Sequence, residues 1–251
     1  MTDFLKSAFR QQIMKKKRCF VFDMDGTVYM GPVPIQPTVD FIKKYWGDIE
    51  FQFLSNNTSK SPNTYVKRLN SMGIPATLEH ILTPITPLIN YLRKNHITRA
   101  YLVGNTDFVT CMAERMPELV ATKDDPQAVI LAYDTELTYE KIATSALLLQ
   151  NNEIEFLATH PDFVCPTNKG PLPDIGSFMC MYEAATGRRP KHIFGKPYTE
   201  VLEPVLARFE KKDLCMVGDR LSTDKKLAEN AGIDFVLVLS GEATLEDVQQ
   251  E

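Results

Sequence analysis

Three short apolar runs in this 251-residue chain stop abruptly on polar or acidic residues, and this repeated feature constrains the fold most. Residues 19–22 run into Asp23, residues 51–54 into Ser55, and residues 214–217 into Gly218 and Asp219. Each run is β-prone and is followed by a helical pattern. Similar runs at 100–103, 128–131, 155–158 and 235–239 alternate with helical patterns at 37–46, 84–95, 107–116, 139–150, 177–186, 197–210 and 223–231. Such alternation predicts an α/β protein with parallel strands. In such sheets ligands bind in the crevice at the carboxyl edge of the strands, where these polar residues stand.

The first strand end reads Asp23-Met24-Asp25-Gly26-Thr27. Asp and Gly are common in turns. Two carboxylates directly beyond a buried strand also repel one another, which suggests a cation or a raised pKa. The second end, Ser55-Asn56-Asn57-Thr58-Ser59, offers hydroxyl, amide and backbone N–H groups that could bind phosphate. It is equally the composition of a turn or a helix cap. The third is Gly218-Asp219-Arg220-Leu221-Ser222-Thr223-Asp224. Asp219 repeats the placement of Asp23, and Asp224 stands near a helix start, where it also suits the helix dipole. Lys196, in Gly195-Lys196-Pro197, precedes another helical pattern and would have a clear task beside these carboxylates and a phosphate.

Composition narrows the classes. Lys plus Arg is 28 against 32 Asp plus Glu, a net charge of −4, so the basic excess of a nucleic-acid binder is missing. A hydrophobic share of 44% excludes a disordered chain. No apolar run approaches the ~18 residues of a spanning helix. At the N-terminus Phe4, Leu5, Ala8, Phe9 and Ile13 share one helical face, followed by a basic cluster at 15–18. This reads as a helix docked on the body of the protein in preference to a membrane anchor, and not as a secretory signal. The five cysteines are scattered and lack metal-ligand spacing, which predicts reduced thiols and a cytoplasmic location. The four dispersed histidines give a zinc site no support.

Together the Asp23–Thr27 segment (DMDGT), Ser55, Lys196 and the 218–224 segment (GDRLSTD) resemble, in order, the motifs of the haloacid dehalogenase superfamily. The resemblance implies a Rossmann-like, doubly wound parallel core and Mg²⁺-dependent phosphoryl transfer. By the same resemblance Asp23 is the nucleophile and Asp25 the general acid and base. Asp23, the backbone carbonyl of Asp25 and Asp219 hold Mg²⁺, with Asp224 orienting that set. Ser55, Asn56 and Asn57 bind phosphate, and Lys196 offsets charge on Asp23 and the phosphoryl group.

From Asp23 to Ser55 is 32 residues, room for one turn, helix and strand; from Ser55 to Lys196 is 141. The second interval therefore holds an inserted α/β cap domain at 81–188, between core segments 1–80 and 189–251. The two connections, at 78–83 and 187–192, are candidate hinges for closing the cap over the site. That placement resembles the NagD-like phosphatases, which include p-nitrophenyl and phosphoglycolate phosphatases. The stretches 158–162 (ATHPD), 185–188 (ATGR) and 238–241 (VLSG) share the likeness. Two residues depart from it: His160 stands where the subfamily usually has Asn, and Asp174 where it usually has Gly. His160 reads either as a leaving-group contact or as a structural loop histidine. Asp174 reads as a group that repels an acidic leaving group or as a helix cap.

The expected activity is hydrolysis of a small-molecule phosphate monoester through an aspartyl phosphate. The expected partner is a small phosphorylated metabolite, without nucleic acid or membrane, and the cap offers a surface for a homo-oligomer. The alternatives are a phosphotransferase or phosphomutase, or a non-catalytic phosphometabolite-binding protein, on the same fold. Mutases with a small cap carry it in the first interval, which has no room here. A dehalogenase would need neither Asp25 nor Mg²⁺, and a binding protein would be free to lose Asp23, Asp25, Lys196 or Asp219.

Overall fold

A computed structural model describes residues 17–167 and 170–249. The expected N-terminal helix, with Phe4, Leu5, Ala8, Phe9 and Ile13, lies outside the described residues, as do the first two residues of the basic cluster. In chain order the first elements are β1 (Cys19–Asp23), β2 (Tyr29–Met30), β3 (Val33–Pro34), α1 (Gln36–Tyr45), β4 (Glu50–Leu54), α2 (Pro62–Ser71) and β5 (Ile81–Leu82). Next come α3 (Ile85–Lys94), β6 (Arg99–Val103), α4 (Thr106–Arg115), β7 (Val120–Ala121), β8 (Ala128–Leu131), α5 (Tyr139–Leu148) and β9 (Glu155–Ala158). The chain continues through β10 (Val164–Cys165), β11 (Leu172–Pro173), α6 (Ile175–Thr186), β12 (His192–Ile193) and α7 (Glu203–Leu206). It ends with β13 (Leu214–Gly218), α8 (Lys226–Ala231), β14 (Asp234–Leu237) and α9 (Leu245–Gln249).

These elements form two compact units. One holds the chain up to Leu54, Leu69–Ile81 and the chain from Leu202 onward; the other holds Ser55–Arg68 and Leu82–Val201. In the first, the sheet order is β14-β13-β1-β4, with β5 beyond β4 where the chain passes into the second unit. β1 pairs in parallel with both β4 and β13, and β13 with β14. Every residue of β1 and β13 is buried, as expected of strands covered on both faces. Alternation along β1 puts Phe20 and Phe22 on one face, where both meet Phe41 of α1 and Phe51 of β4 at ring-centroid distances of 5.9–6.4 Å.

The second unit has its own five-stranded sheet, in the order β12-β9-β8-β6-β7, parallel throughout. Ala128 and Ile130 of β8 face a core with Leu88 and Leu92 of α3 and Phe108 and Met112 of α4. Val129 and Leu131 face an opposite core with Phe156, Ile175 and Tyr182. Helices on both faces explain why these strands read as continuous apolar runs. α6 ends on Gly187, a left-handed C-cap at φ 70° whose N–H donates to the Glu183 carbonyl at 2.8 Å.

The bounds of the second unit differ from the 81–188 expected for the insertion. Residues 55–68 and 189–201 fold with the inserted segment because long-range hydrogen bonds and strand pairing tie them to it. Ser55 N–H donates to the Leu82 carbonyl, Tyr133 N–H to Thr58 Oγ1, and Asn105 Nδ2 to the Ser59 carbonyl. β12 pairs with β9 through His192–Leu157 and Ile193–Ala158. The helix expected over 197–210 is also shorter. A 3₁₀ turn at Thr199–Leu202 precedes α7, because Pro204 lacks the N–H that a continuous helix would use. Over 223–231, the structure has a π-helical turn at Leu221–Lys225 and then α8.

All five cysteines are free thiols. Burial pushes Cys19 and Cys215 up to about 12, which keeps both protonated and unreactive. Among the described residues, no helix is long and apolar enough to cross a membrane.

Candidate active site

In the first unit, Asp23 ends β1, Asp219 follows β13, and Asp224 lies in the π-helical turn. All three are buried, and each offers an oxygen lying within 4.8 Å of the others. Unit charges ~4 Å apart repel by about 4 kcal/mol even at an effective dielectric of 20, so such a group needs offsetting positive charge or a proton. Thr27 Oγ1 donates to Asp219 Oδ1 at 3.1 Å, and Glu242 N–H to Oδ2 at 2.8 Å. Arg220 N–H donates to Asp224 Oδ2 at 3.1 Å. These bonds orient the Asp219 and Asp224 carboxylates.

Three glycines make room for these carboxylates. A Cβ on Gly26 or Gly241 would collide with the Asp219 carboxylate, and one on Gly218 with that of Asp224. Gly26 also has φ +91°, a conformation costly to other residues, and its carbonyl accepts from Ser240 Oγ at 2.6 Å. Oxygen-only ligation suits a hard divalent cation. Asp224, read from sequence as standing behind the ligands, offers an oxygen in the same group as Asp23 and Asp219. Asp25, two residues past Asp23, is exposed, and its carboxylate is not part of that group.

The other predicted residues lie in the second unit. Ser55, Asn56 and Lys196 are buried, and Asn57 is partly buried. Ser55 Oγ accepts from Asn57 N–H at 3.2 Å and donates to the Tyr65 hydroxyl at 3.3 Å. Asn57 Oδ1 accepts from the backbone N–H and the hydroxyl of Ser59, closing the loop on itself. The Asn56 amide does not point free for a phosphate. Its Oδ1 accepts from Lys196 N–H at 2.8 Å, and its Nδ2 donates to the Lys196 carbonyl at 3.1 Å and to the Asp162 carboxylate at 3.2 and 3.3 Å.

His160 and Asp174, the two departures from the NagD-like pattern, are partners in one buried hydrogen bond. His160 is 0% exposed, and its Nε2 lies 3.0 Å from Asp174 Oδ1; its Nδ1 lies 3.2 Å from Thr159 Oγ1. Asp174 Oδ1 also accepts from Ile175 N–H at 2.7 Å, so Asp174 is the N-cap of α6. The contacts of both side chains are those of the structural alternatives, a loop histidine held by its partner and a helix cap. Asp174→Ala is expected to cost about 2–4 kcal/mol in urea unfolding, combining a lost cap with a buried imidazole left unpaired. A loss below about 0.5 kcal/mol, the range of surface changes, would contradict this pairing.

A profile of the haloacid dehalogenase-like hydrolases matches residues 20–115, and a HAD-hydrolase-like profile matches residues 193–251. An acid sugar phosphatase of Staphylococcus epidermidis is 30% identical over 244 residues, covering 95% of this chain and 92% of its own. The chain belongs to the haloacid dehalogenase-like hydrolases. A solved 4-nitrophenylphosphatase from Thermotoga maritima superposes with a TM-score of 0.89 at 34% identity, covering 95% of this chain and 92% of its own. A glycerol phosphate phosphatase from Mycobacterium tuberculosis, solved with calcium, gives a TM-score of 0.82 at 27% identity, covering 92% of this chain and 69% of its own. This haloacid dehalogenase-like hydrolase is thus a phosphatase of the NagD and nitrophenylphosphatase type, acting on small phosphoric monoesters, with an α/β core and an inserted cap.

Reading by sequence left Asp162, Thr27, Ser240 and Gly241 without a task. Asp162 was visible as the last residue of the 158–162 stretch, directly beyond β9. The contacts of Thr27 with Asp219 and of Ser240 with Gly26 span 192 and 214 residues, a separation that local pattern does not report.

Proposed function

We propose that this enzyme is a Mg²⁺-dependent phosphatase that hydrolyses a small phosphorylated metabolite through an aspartyl phosphate on Asp23. The observation that carries the reading is the buried Asp23, Asp219 and Asp224 group in its cradle of glycines. Those three carboxylates, with the Asp25 backbone carbonyl, would hold the ion, which when bound supplies charge neutralisation for the attacking carboxylate and the phosphoryl oxygens.

In the first step an Asp23 oxygen attacks phosphorus, the bond from phosphorus to the leaving oxygen breaks, and Asp25 gives that oxygen a proton. In the second step Asp25 takes a proton from a water that attacks the same phosphorus, and the bond to Asp23 breaks. Ser55 and the backbone N–H groups of Asn56 and Asn57 bind phosphate oxygens, and Lys196 adds positive charge. In a loose phosphoryl-transfer transition state, positioning and charge of this kind supply most of the catalysis.

Hydrolysis of p-nitrophenyl phosphate tests the reading. Chelation with EDTA is expected to lower turnover by about 100-fold or more, and excess Mg²⁺ to restore it. Undiminished turnover in EDTA would overturn the metal assignment.

A further inference from the structure

We propose that Asp162 is a positioning residue for Lys196, acting through Asn56; the inference rests on the reading of Lys196 as the cation that faces the phosphoryl group. The Asn56 amide engages the backbone N–H and the backbone carbonyl of the same residue, Lys196. That two-point contact fixes the orientation of the Lys196 peptide units, and with them the root of the lysine side chain. An amide can make it in one orientation only: Oδ1 toward the N–H and Nδ2 toward the carbonyl.

Asp162 selects that orientation. Its carboxylate accepts from Asn56 Nδ2 through both oxygens, at 3.2 and 3.3 Å. A flipped amide would set Oδ1 against a carboxylate and a carbonyl, three acceptors with no proton between them. The Lys196 backbone is pressed onto this clamp by Gly195. A Cβ there would lie 2.6 Å from Asn56 Oδ1, 2.6 Å from His160 Cβ and 2.9 Å from the Thr159 carbonyl. The loop that carries Asp162 is itself anchored. Thr159 Oγ1 lies 3.1 Å from Thr58 Oγ1, and His160 is held by Asp174. Asn56 and Lys196 are 5% and 3% exposed, so water does not replace a lost partner cheaply.

The test is a double-mutant cycle on the full chain with Mg²⁺ and p-nitrophenyl phosphate. It compares Asp162→Ala, Asp162→Asn, Lys196→Ala and the Asp162→Ala/Lys196→Ala pair. Asp162→Ala is expected to lower kcat/KM by roughly 10- to 100-fold, the scale of one hydrogen bond to a charged acceptor. Asp162→Asn keeps an acceptor oxygen for Asn56 and should recover most of that loss. Once Lys196 is alanine, removing Asp162 should cost less than about 2-fold further, because the group it positions is gone.

Losses that multiply independently in the two backgrounds would overturn the inference while leaving the reading of Lys196 intact. Equal damage from Asp162→Asn and Asp162→Ala would overturn it too, since charge and not the acceptor would then matter. A Lys196→Ala variant with unchanged kcat/KM would sink both the inference and that reading. If circular dichroism shows Asp162→Ala unfolded, the same cycle is run with Asp162→Ser.

Discussion

Asp23→Asn is expected to reduce phosphate release by about 10,000-fold or more, the scale on which removing a covalent nucleophile acts. The amide keeps the size of the side chain at the end of β1 but cannot attack phosphorus. It also removes one of the three clustered negative charges, so the repulsion within that group falls. The variant should therefore fold, and should unfold in urea at least as late as the parent. That combination separates a chemical loss from a structural one. A variant that hydrolyses p-nitrophenyl phosphate within tenfold of the parent would remove Asp23 from the nucleophile role.

Asp25→Asn carries the second large effect, and its form depends on the leaving group. p-Nitrophenolate departs without a proton, so attack by Asp23 should still occur. Breakdown of the aspartyl phosphate should fail, because no side chain takes the proton from water. Stopped-flow traces should then show a burst of about one nitrophenolate per enzyme, followed by turnover about 100-fold or more below the parent. An alkyl phosphate such as glycerol phosphate, whose leaving oxygen needs the proton, should give neither burst nor turnover. A burst-free, near-normal rate on both substrates would contradict the acid and base role. Asp25 is exposed and its carboxylate lies outside the three-carboxylate group, which suits a residue that meets substrate and water.

The strands that carry the chemistry were legible because each is a buried run ending on a polar residue. β8 and β9 are found at 128–131 and 155–158, as the pattern predicts, and β1, β4 and β13 extend it by one residue. The two-residue strands β2, β3, β5, β7, β10, β11 and β12 were not legible, because two residues carry no period. The bounds of the second unit differ from the interval reading for a different reason. Chain intervals report how much sequence lies between motifs but not which loops bond to one another. The hydrogen bonds of Asn56 to Lys196 and Asp162 join positions 140 and 106 residues apart. For the same reason the backbone partners of the Asn56 side chain were not legible. His160 and Asp174 stood out singly as departures, and only the fold shows that they are one pair.

Reductive trapping of the intermediate tests the central claim most directly. Asp25→Asn enzyme is mixed with p-nitrophenyl phosphate and Mg²⁺, denatured in acid during the slow phase and treated with borohydride, which reduces an acyl phosphate to an alcohol. Peptide mass spectrometry is expected to find homoserine at position 23, dependent on substrate. Unmodified Asp23 in protein that has completed its burst, or homoserine at a different aspartate, would contradict the account.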